Sequence, residues 1–316
     1  MTPTDKGQLL SIILLSYFSE KNISNVYTKV VAEMEKEKIP FELIIMDDGS
    51  TDNSYQVALE LEKKDNRVRA YQLSRNFTSH YSLFAGLSVS EGACATAIPD
   101  DLQLPLETVI SMYRQWQKGN KVIIPFRTSR DDGKVKDAFS NLYYKIMNSI
   151  SVVNFPVGGS DGFLIDREVI DIINNKIHPI NTSTIVEVLR LGFNPVFIPF
   201  DRPPTRGKSR WTLKKKLKLA FDTILSSSSF PIKLIVASGM GSILLSAFLI
   251  LFSIVFKLAG SKSYFGFSIP GWTSNLILIS FFSGLILFSL GIIAEYVWRI
   301  YEEVKNRPGY IIKKKE

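Results

Sequence analysis

The sequence predicts an α/β domain with a largely parallel sheet, then a basic juxtamembrane segment and a two-helix transmembrane hairpin. Three observations lead there. Before residue 200, short β-rich runs alternate with segments of helical periodicity. After residue 230, two long runs carry no charge at all. Between these regions, residues 202–218 hold eight basic residues and no acidic one.

The elements follow in order. Strands are expected over residues 9–15, 41–46, 68–72, 93–98, 122–125, 162–165 and 196–199, where β-branched and other apolar residues cluster between turn signals. Helices are expected over residues 22–38, 51–64, 81–91 and 106–118, where apolar residues recur at helical spacing. A helix after nearly every strand implies parallel crossovers, and such sheets bind ligands at the carboxyl ends of their strands. Chemistry is therefore sought just after each strand.

Composition limits the alternatives. The chain has 316 residues, 46% of them hydrophobic and 22% charged, with a net charge of +8 and a mean hydropathy of +0.10. That suits about two domains and excludes a disordered or fibrous chain. Cys94 is the only cysteine, so no intramolecular disulfide forms; His80 and His178 are too few for a His-rich zinc site.

The first charge-free run, residues 234–256, would span about 34 Å as a helix, enough for a hydrocarbon core. The second, residues 271–294, has Trp272 at one end and Tyr296 and Trp298 near the other, as an aromatic belt would. The competing reading is a pair of buried helices in a soluble core. Lysines 214, 215, 216, 218 and 233 precede the first run, and Arg299, Lys305, Arg307 and Lys313 to Lys315 follow the second, whereas the intervening loop has only Lys257 and Lys262. By the positive-inside rule both termini and the α/β domain are expected in the cytoplasm. No signal peptide is visible, because the apolar run at residues 9–15 is too short. Leu213, Leu217, Ala220, Phe221, Ile224 and Leu225 give residues 212–228 an amphipathic helical pattern suited to the headgroup level. The expected domains are residues 1–200, then 201–230 as basic loop and juxtamembrane helix, 231–298 as the hairpin, and 299–316 as a basic cytoplasmic tail.

Two acidic clusters follow strands. Asp47-Asp48-Gly49-Ser50-Thr51-Asp52 offers carboxylates to a base or to ribose hydroxyls, or else it is a turn with a helix cap. In Pro99-Asp100-Asp101-Leu102-Gln103, an extended backbone would put Asp101 and Gln103 on one face. Their oxygens would suit a hard divalent cation completed by a substrate diphosphate; an acidic turn is the alternative. Ser74-Arg75-Asn76-Phe77, Arg127 and the glycine-rich residues 158–162 lie at other strand ends.

Taken together, DDGSTD, SRNF, DLQ before a helix, an Asp in a glycine-rich stretch, RGKSRW followed by KKKLKLAFD, and the block from Gly271 to Ile312 resemble the family 2 polyprenyl-phosphate glycosyltransferases. That group includes dolichol-phosphate mannose synthases and undecaprenyl-phosphate glucosyltransferases. The resemblance covers essentially the whole chain and implies a GT-A fold, Rossmann-like in its sheet, at the bacterial cytoplasmic membrane. It implies inverting transfer of one sugar from a nucleotide-diphosphate sugar to a polyprenyl phosphate, with Mg2+ or Mn2+ as cofactor. It puts Tyr17, Glu20, Asp47, Asp48, Arg75, Asn76, Asp100, Ser209 and Arg210 on the donor side and Asp101 and Gln103 at the metal. Arg127, Lys136 and Ser140 fall near the acceptor phosphate, and Asp161 near the reacting sugar. Partners are the donor, the lipid acceptor and the bilayer; no nucleic acid is expected, and a homo-oligomer is left open.

The chain departs from the family pattern in places. Pro99 and Leu104 stand where the metal motif usually has Asp. Leu15-Ser16-Tyr17-Phe18-Ser19 replaces Pro-x-Tyr-Asn-Glu, and Thr78 replaces the glycine after Arg-Asn-Phe. Pro204 replaces an Arg before the basic-loop glycine. A catalytically weak nucleotide-sugar-binding scaffold and a processive polysaccharide synthase are the alternative functions; the synthase's Gln-x-x-Arg-Trp motif is absent from the sequence.

Overall fold

The computed structural model describes residues 7–127, 148–149, 153, 160, 162–180, 183–201, 230–258 and 271–314. The chain forms two compact units, Met1–Ser227 with Arg307–Glu316, and Ser228–Asn306.

The first unit is built on a seven-stranded sheet: β1 (Leu10–Ser16), β2 (Phe41–Asp47), β3 (Val68–Gln72), β4 (Cys94–Pro99), β5 (Val122–Arg127), β6 (Leu164–Asp166) and β7 (Val196–Phe200). Their spatial order is β3-β2-β1-β4-β6-β5-β7. Only the three-residue β6 runs antiparallel to its neighbours, so the expected mainly parallel sheet is present. Every expected strand is there, within two residues at each end. Among the described residues the helices of this unit are α1 (Ile23–Lys36), α2 (Ser54–Lys64), α3 (Ser79–Val89), α4 (Leu106–Trp116), α5 (Arg167–Lys176) and α6 (Thr184–Arg190).

Alternation along the strands divides the core into two layers. Leu10, Ile12, Leu14, Leu43 and Ile45 pack under α1, α2 and α4, while Ile13, Ile44, Met46 and Ile165 pack under α3 and α5. Both faces are covered, which is why β1 and β2 read as almost continuous apolar runs. Each large side chain fully buried here contributes roughly 1.5–3 kcal/mol. Gly86 lets α3 close on β1, because a Cβ there would lie 2.4 Å from the Ile13 side chain.

α5 was not expected from the sequence, although its signals are present. Asp166 caps it by accepting from the Glu168 amide, and Val169, Ile170 and Ile173 form its buried stripe. α6, seven residues long, was likewise not expected.

The segment after residue 306 is more than a basic tail. It returns to the sheet, where Ile312 forms an antiparallel bridge with Leu73. Tyr310 and Ile312 pack against the second core layer.

The second unit contains α7 (Phe230–Leu258) and α8 (Gly271–Val304). Within α8, Phe281–Val304 is long and apolar enough to cross a membrane, and its most apolar window is not buried. Its Leu287, Phe288, Leu290 and Val297 are exposed in the single chain and form an apolar surface open to lipid or protein. The expected amphipathic helix over residues 212–228 lies outside the described residues.

One ion pair ties α1 to the α2–β3 connection. Arg67 donates to Asp65 from Nε at 3.0 Å and Nη2 at 2.8 Å, and to Glu35 from Nη1 at 2.9 Å. Tyr27 also donates to Asp65, at 3.0 Å. The Arg67 hydrogen bonds hold the Asp65 carboxyl at about 2, below its ordinary 3.8. Because the folded value is depressed, the contribution is complete above the unfolded value and disappears as pH falls through the folded one. Asp65→Asn is expected to cost about 1–2 kcal/mol at neutral pH. The difference in melting temperature from the parent protein should close between about pH 4 and pH 2, as a pH series of thermal unfolding would show.

Candidate active site

In a sheet of this order the winding direction reverses between β1 and β4, and ligands bind outside the carboxyl ends of the strands at such a point. The strands β1 to β5 and β7 all end on this edge.

Asp47 ends β2 fully buried. Its Oδ2 accepts from the Ser50 amide at 3.0 Å and from Gln72 Nε2 at 2.9 Å; its Oδ1 accepts from Ser50 Oγ at 2.5 Å. Asp48, 3% exposed, accepts from the backbone amides of Phe77 at 2.7 Å and Thr78 at 2.9 Å. Burial pushes the Asp48 carboxyl up, and these two amides pull against that rise. Of the two readings open for this cluster, the observed hydrogen bonds are those of a turn former. Asp52 belongs to the same scheme, accepting from the amide and hydroxyl of Ser54 at the start of α2.

Gly49, at φ +67°, lets this turn press on the loop after β3. A Cβ there would sit 2.5 Å from the Arg75 carbonyl carbon. In that loop the Arg75 guanidinium lies 4.0 Å from the Phe77 ring centroid, and Asn76 Oδ1 accepts from the Thr78 amide at 3.2 Å.

Beyond β1, Phe18 donates its amide to Ser50 Oγ at 3.0 Å. Ser19 donates its amide to Ser54 Oγ at 2.7 Å and its hydroxyl to Asp100 at 2.5 Å. The loops of β1, β2 and β4 are thereby joined. Tyr17 stacks edge-on with Phe18 at 4.5 Å, and Glu20 accepts from Asn53 at 3.1 Å.

Asp101 is the exposed member of the two strand-end carboxylate pairs. Its carboxylate accepts from the Gln103 side-chain amide. The two groups meet as expected, though not through an extended backbone. The segment turns, with the Leu102 amide bonded to Pro99 O at 3.1 Å and Leu102 at φ +50°. Leu104 is fully buried in the first core layer and cannot serve as a ligand. Among the described residues, no three His, Cys, Asp or Glu side chains gather to hold a metal. Asp101 and Gln103 nonetheless fit a cation that takes its other ligands from a substrate diphosphate and water, because neither is sequestered in the core.

Arg127 ends β5 on the same edge, paired with Phe200 of β7. Lys136, Ser140, Asp161, Ser209 and Arg210 lie outside the described residues. Next to Asp161, Gly162 sits against Leu104: a Cβ on it would lie 3.2 Å from the leucine's Cδ2. Sequence reading missed Ser19, Ser54 and Gln72 as organisers of this rim, whereas Ser50 was read as a turn residue that accepts a backbone N–H, and it accepts one from Phe18. Of the three that were missed, only Gln72 carried a signal, a polar residue closing a strand just before Ser74-Arg75-Asn76.

Left-handed backbone recurs on this edge. Phe18, Gly49, Thr78 and Leu102 follow β1, β2, β3 and β4 respectively, and all have positive φ. Such conformations persist only where the surroundings enforce them. At Thr78, φ is +86° and ψ +159°, a region essentially reserved for glycine.

These features define a nucleotide-fold α/β domain with an acidic, strained ligand edge. Residues 11–173 match the model of glycosyl transferase family 2, and the chain belongs to that family; it is a glycosyltransferase. It is 31% identical over 311 residues to the bactoprenol glucosyl transferase of Shigella phage SfII, covering 96% of this chain and 97% of the relative. An uncharacterized glycosyltransferase of Bacillus subtilis, YkcC, is 32% identical over 96% of this chain and 93% of its own. Among solved structures, the glucosyl-3-phosphoglycerate synthase of Mycobacterium tuberculosis with uridine diphosphate overlaps 70% of this chain and 80% of its own. Its TM-score is 0.48 and its identity 16%.

Two outcomes are expected. Thr78→Gly relieves strain of roughly 1–3 kcal/mol at an entropic cost of about 0.5–1 kcal/mol. Thermal unfolding should therefore show a melting temperature raised by about 2–4 °C, with no gain in Thr78→Ala. Leu104→Asp places an unpaired carboxylate in the core and should cost at least about 3 kcal/mol. A lowered melting temperature without improved metal affinity would be its signature.

Proposed function

We propose that this protein transfers a single sugar from a nucleotide-diphosphate sugar to the phosphate of a membrane polyprenol, with undecaprenyl phosphate as the acceptor. The end-to-end match to a bactoprenol glucosyl transferase carries this reading, since it extends through both apolar helices as well as the α/β domain. In this reading the second unit is a two-helix hairpin at the bacterial inner membrane, with the α/β domain and both termini on the cytoplasmic side, as the flanking lysines and arginines favour.

The central chemical problem is electrostatic. The phosphate of a polyprenyl phosphate, with a second pKa near 6, is already largely anionic at neutral pH, so a general base is not obligatory. An anion must then approach a donor carrying a diphosphate, and the leaving group gains further charge. Cations have to outnumber acids around the reacting atoms. Asp47 and Asp48 lie below, buried and already met by local donors, and shape the donor floor. Tyr17, Glu20, Arg75, Asn76 and Asp100 line the donor side. Asp101 and Gln103 would hold Mg2+ or Mn2+, which when bound neutralises diphosphate charge. Arg127, with Lys136 and Ser140, is assigned to the acceptor phosphate, Ser209 and Arg210 to the donor diphosphate, and Asp161 to the sugar. Attack by the phosphate oxygen from the face opposite the leaving diphosphate inverts the anomeric carbon.

The test combines detergent-purified protein, undecaprenyl phosphate and a panel of nucleotide sugars with manganese or magnesium, and reads the lipid by mass. One added hexose on the lipid is expected. A long polymer would instead indicate a processive synthase, and nucleotide binding without any lipid product a scaffold. Asp101→Ala is expected to lower kcat/KM at least about a hundredfold, near 3 kcal/mol of transition-state stabilisation. Full activity in that variant, or in excess chelator, would remove the metal from the mechanism.

A further inference from the structure

The segment that follows the second apolar helix reaches the floor of the site. Ile311 O accepts from the Ser74 amide at 2.8 Å, and the Lys313 amide donates to Gln72 O at 2.8 Å. These bonds flank the Leu73–Ile312 bridge and add a short antiparallel strand to the outer edge of the sheet. The fit is close: a Cβ on Gly309 would lie 2.6 Å from Pro179 and 2.9 Å from the Tyr81 ring. The Tyr310 hydroxyl lies 3.5 Å from Phe84 O.

The side chain of Lys313 makes this more than edge cover. Its Nζ donates to Gln72 Oε1 at 2.9 Å, while Gln72 Nε2 donates to Asp47 Oδ2 at 2.9 Å. An ammonium can only donate and a carboxylate can only accept, so the two ends of the Gln72 amide are fixed by its neighbours. From Asp47 the path continues to Ser50, then to the Phe18 amide; the next residue, Ser19, bonds Asp100. An unbroken line of polar contacts and adjacent residues thus runs from the C-terminal segment to the acidic loop after β4.

We propose that residues 309–313 act as a strap and that Lys313 and Gln72 are positioning residues, which orient Asp47 and its turn so that the donor pocket is formed only while the strap is docked. This rests on the reading of that edge as the nucleotide-sugar site. Neither residue needs to touch substrate. The strap would make donor binding depend on the part of the chain that emerges from the apolar helices.

The test uses the full-length protein, with steady-state kinetics in donor and acceptor separately. Lys313→Ala and Gln72→Leu are each expected to raise the donor KM roughly three- to tenfold, with kcat and acceptor KM within about twofold. Lys313→Arg should restore the donor KM, and the double variant should be no worse than Gln72→Leu alone. Amide hydrogen exchange at residues 47–50 should quicken in Gln72→Leu and in the undocking variant Ile312→Lys. An unchanged donor KM, or equal shifts in all kinetic constants, overturns the proposal. So does unchanged exchange at residues 47–50. If the parent protein uses no nucleotide sugar while exchange still responds, the strap stands and the donor reading falls.

Discussion

Two carboxylates buried at the end of one strand hold this ligand edge together. Asp47 and Asp48 lie side by side with almost no access to water, and each spends its oxygens on neighbouring loops. A buried carboxylate is costly unless several donors converge on it. Here the donors come from Ser50, Gln72, Phe77 and Thr78, so the requirement for partners fixes the loops after β2 and β3 relative to each other. The hydroxyl of Ser50 passes the constraint on to the loop after β1. The positive φ values at Phe18, Gly49 and Thr78 are supported by the same bonds: Thr78 keeps its strained conformation with its amide held by Asp48 and Asn76.

This arrangement separates structural acids from exposed ones. The pair after β2 is withdrawn from solvent, whereas Asp101 faces it beside Gln103. The proposed transfer between two anionic substrates would benefit from that division, since the inner carboxylates are already compensated by local donors. What remains at the surface is a small acidic group suited to a cation, with Arg75 after β3 and Arg127 at the end of β5 on the same edge of the sheet.

The fold was largely legible because burial on both faces writes itself into the strands. Runs such as Leu10 to Leu15 and Phe41 to Met46 need no partner to be recognised. α5 escaped because its apolar stripe is only three residues in a polar setting. The site was legible where chemistry is local: Asp101 and Gln103 are two residues apart and do meet, although a turn rather than an extended strand brings them together. It was illegible where partners are distant. Ser19 and Asp100 are 81 positions apart, and Gln72 and Lys313 are 241 apart, so no local pattern announces either contact. The departure at Thr78 became interpretable only once its backbone angles showed why a glycine is usual there.

The C-terminal segment also changes how the chain is divided. The α/β unit takes in Arg307–Glu316 as well as Met1–Ser227, so in primary structure the apolar helices are an insert within it. A ribosome makes the last rung of this sheet only after both helices have been made. Until then the rim of β3 is an unpaired edge, open to association with other chains. Maturation of the α/β unit thus waits on the apolar helices, and any dissection that simply stops before the first helix leaves that unit without residues 307–316.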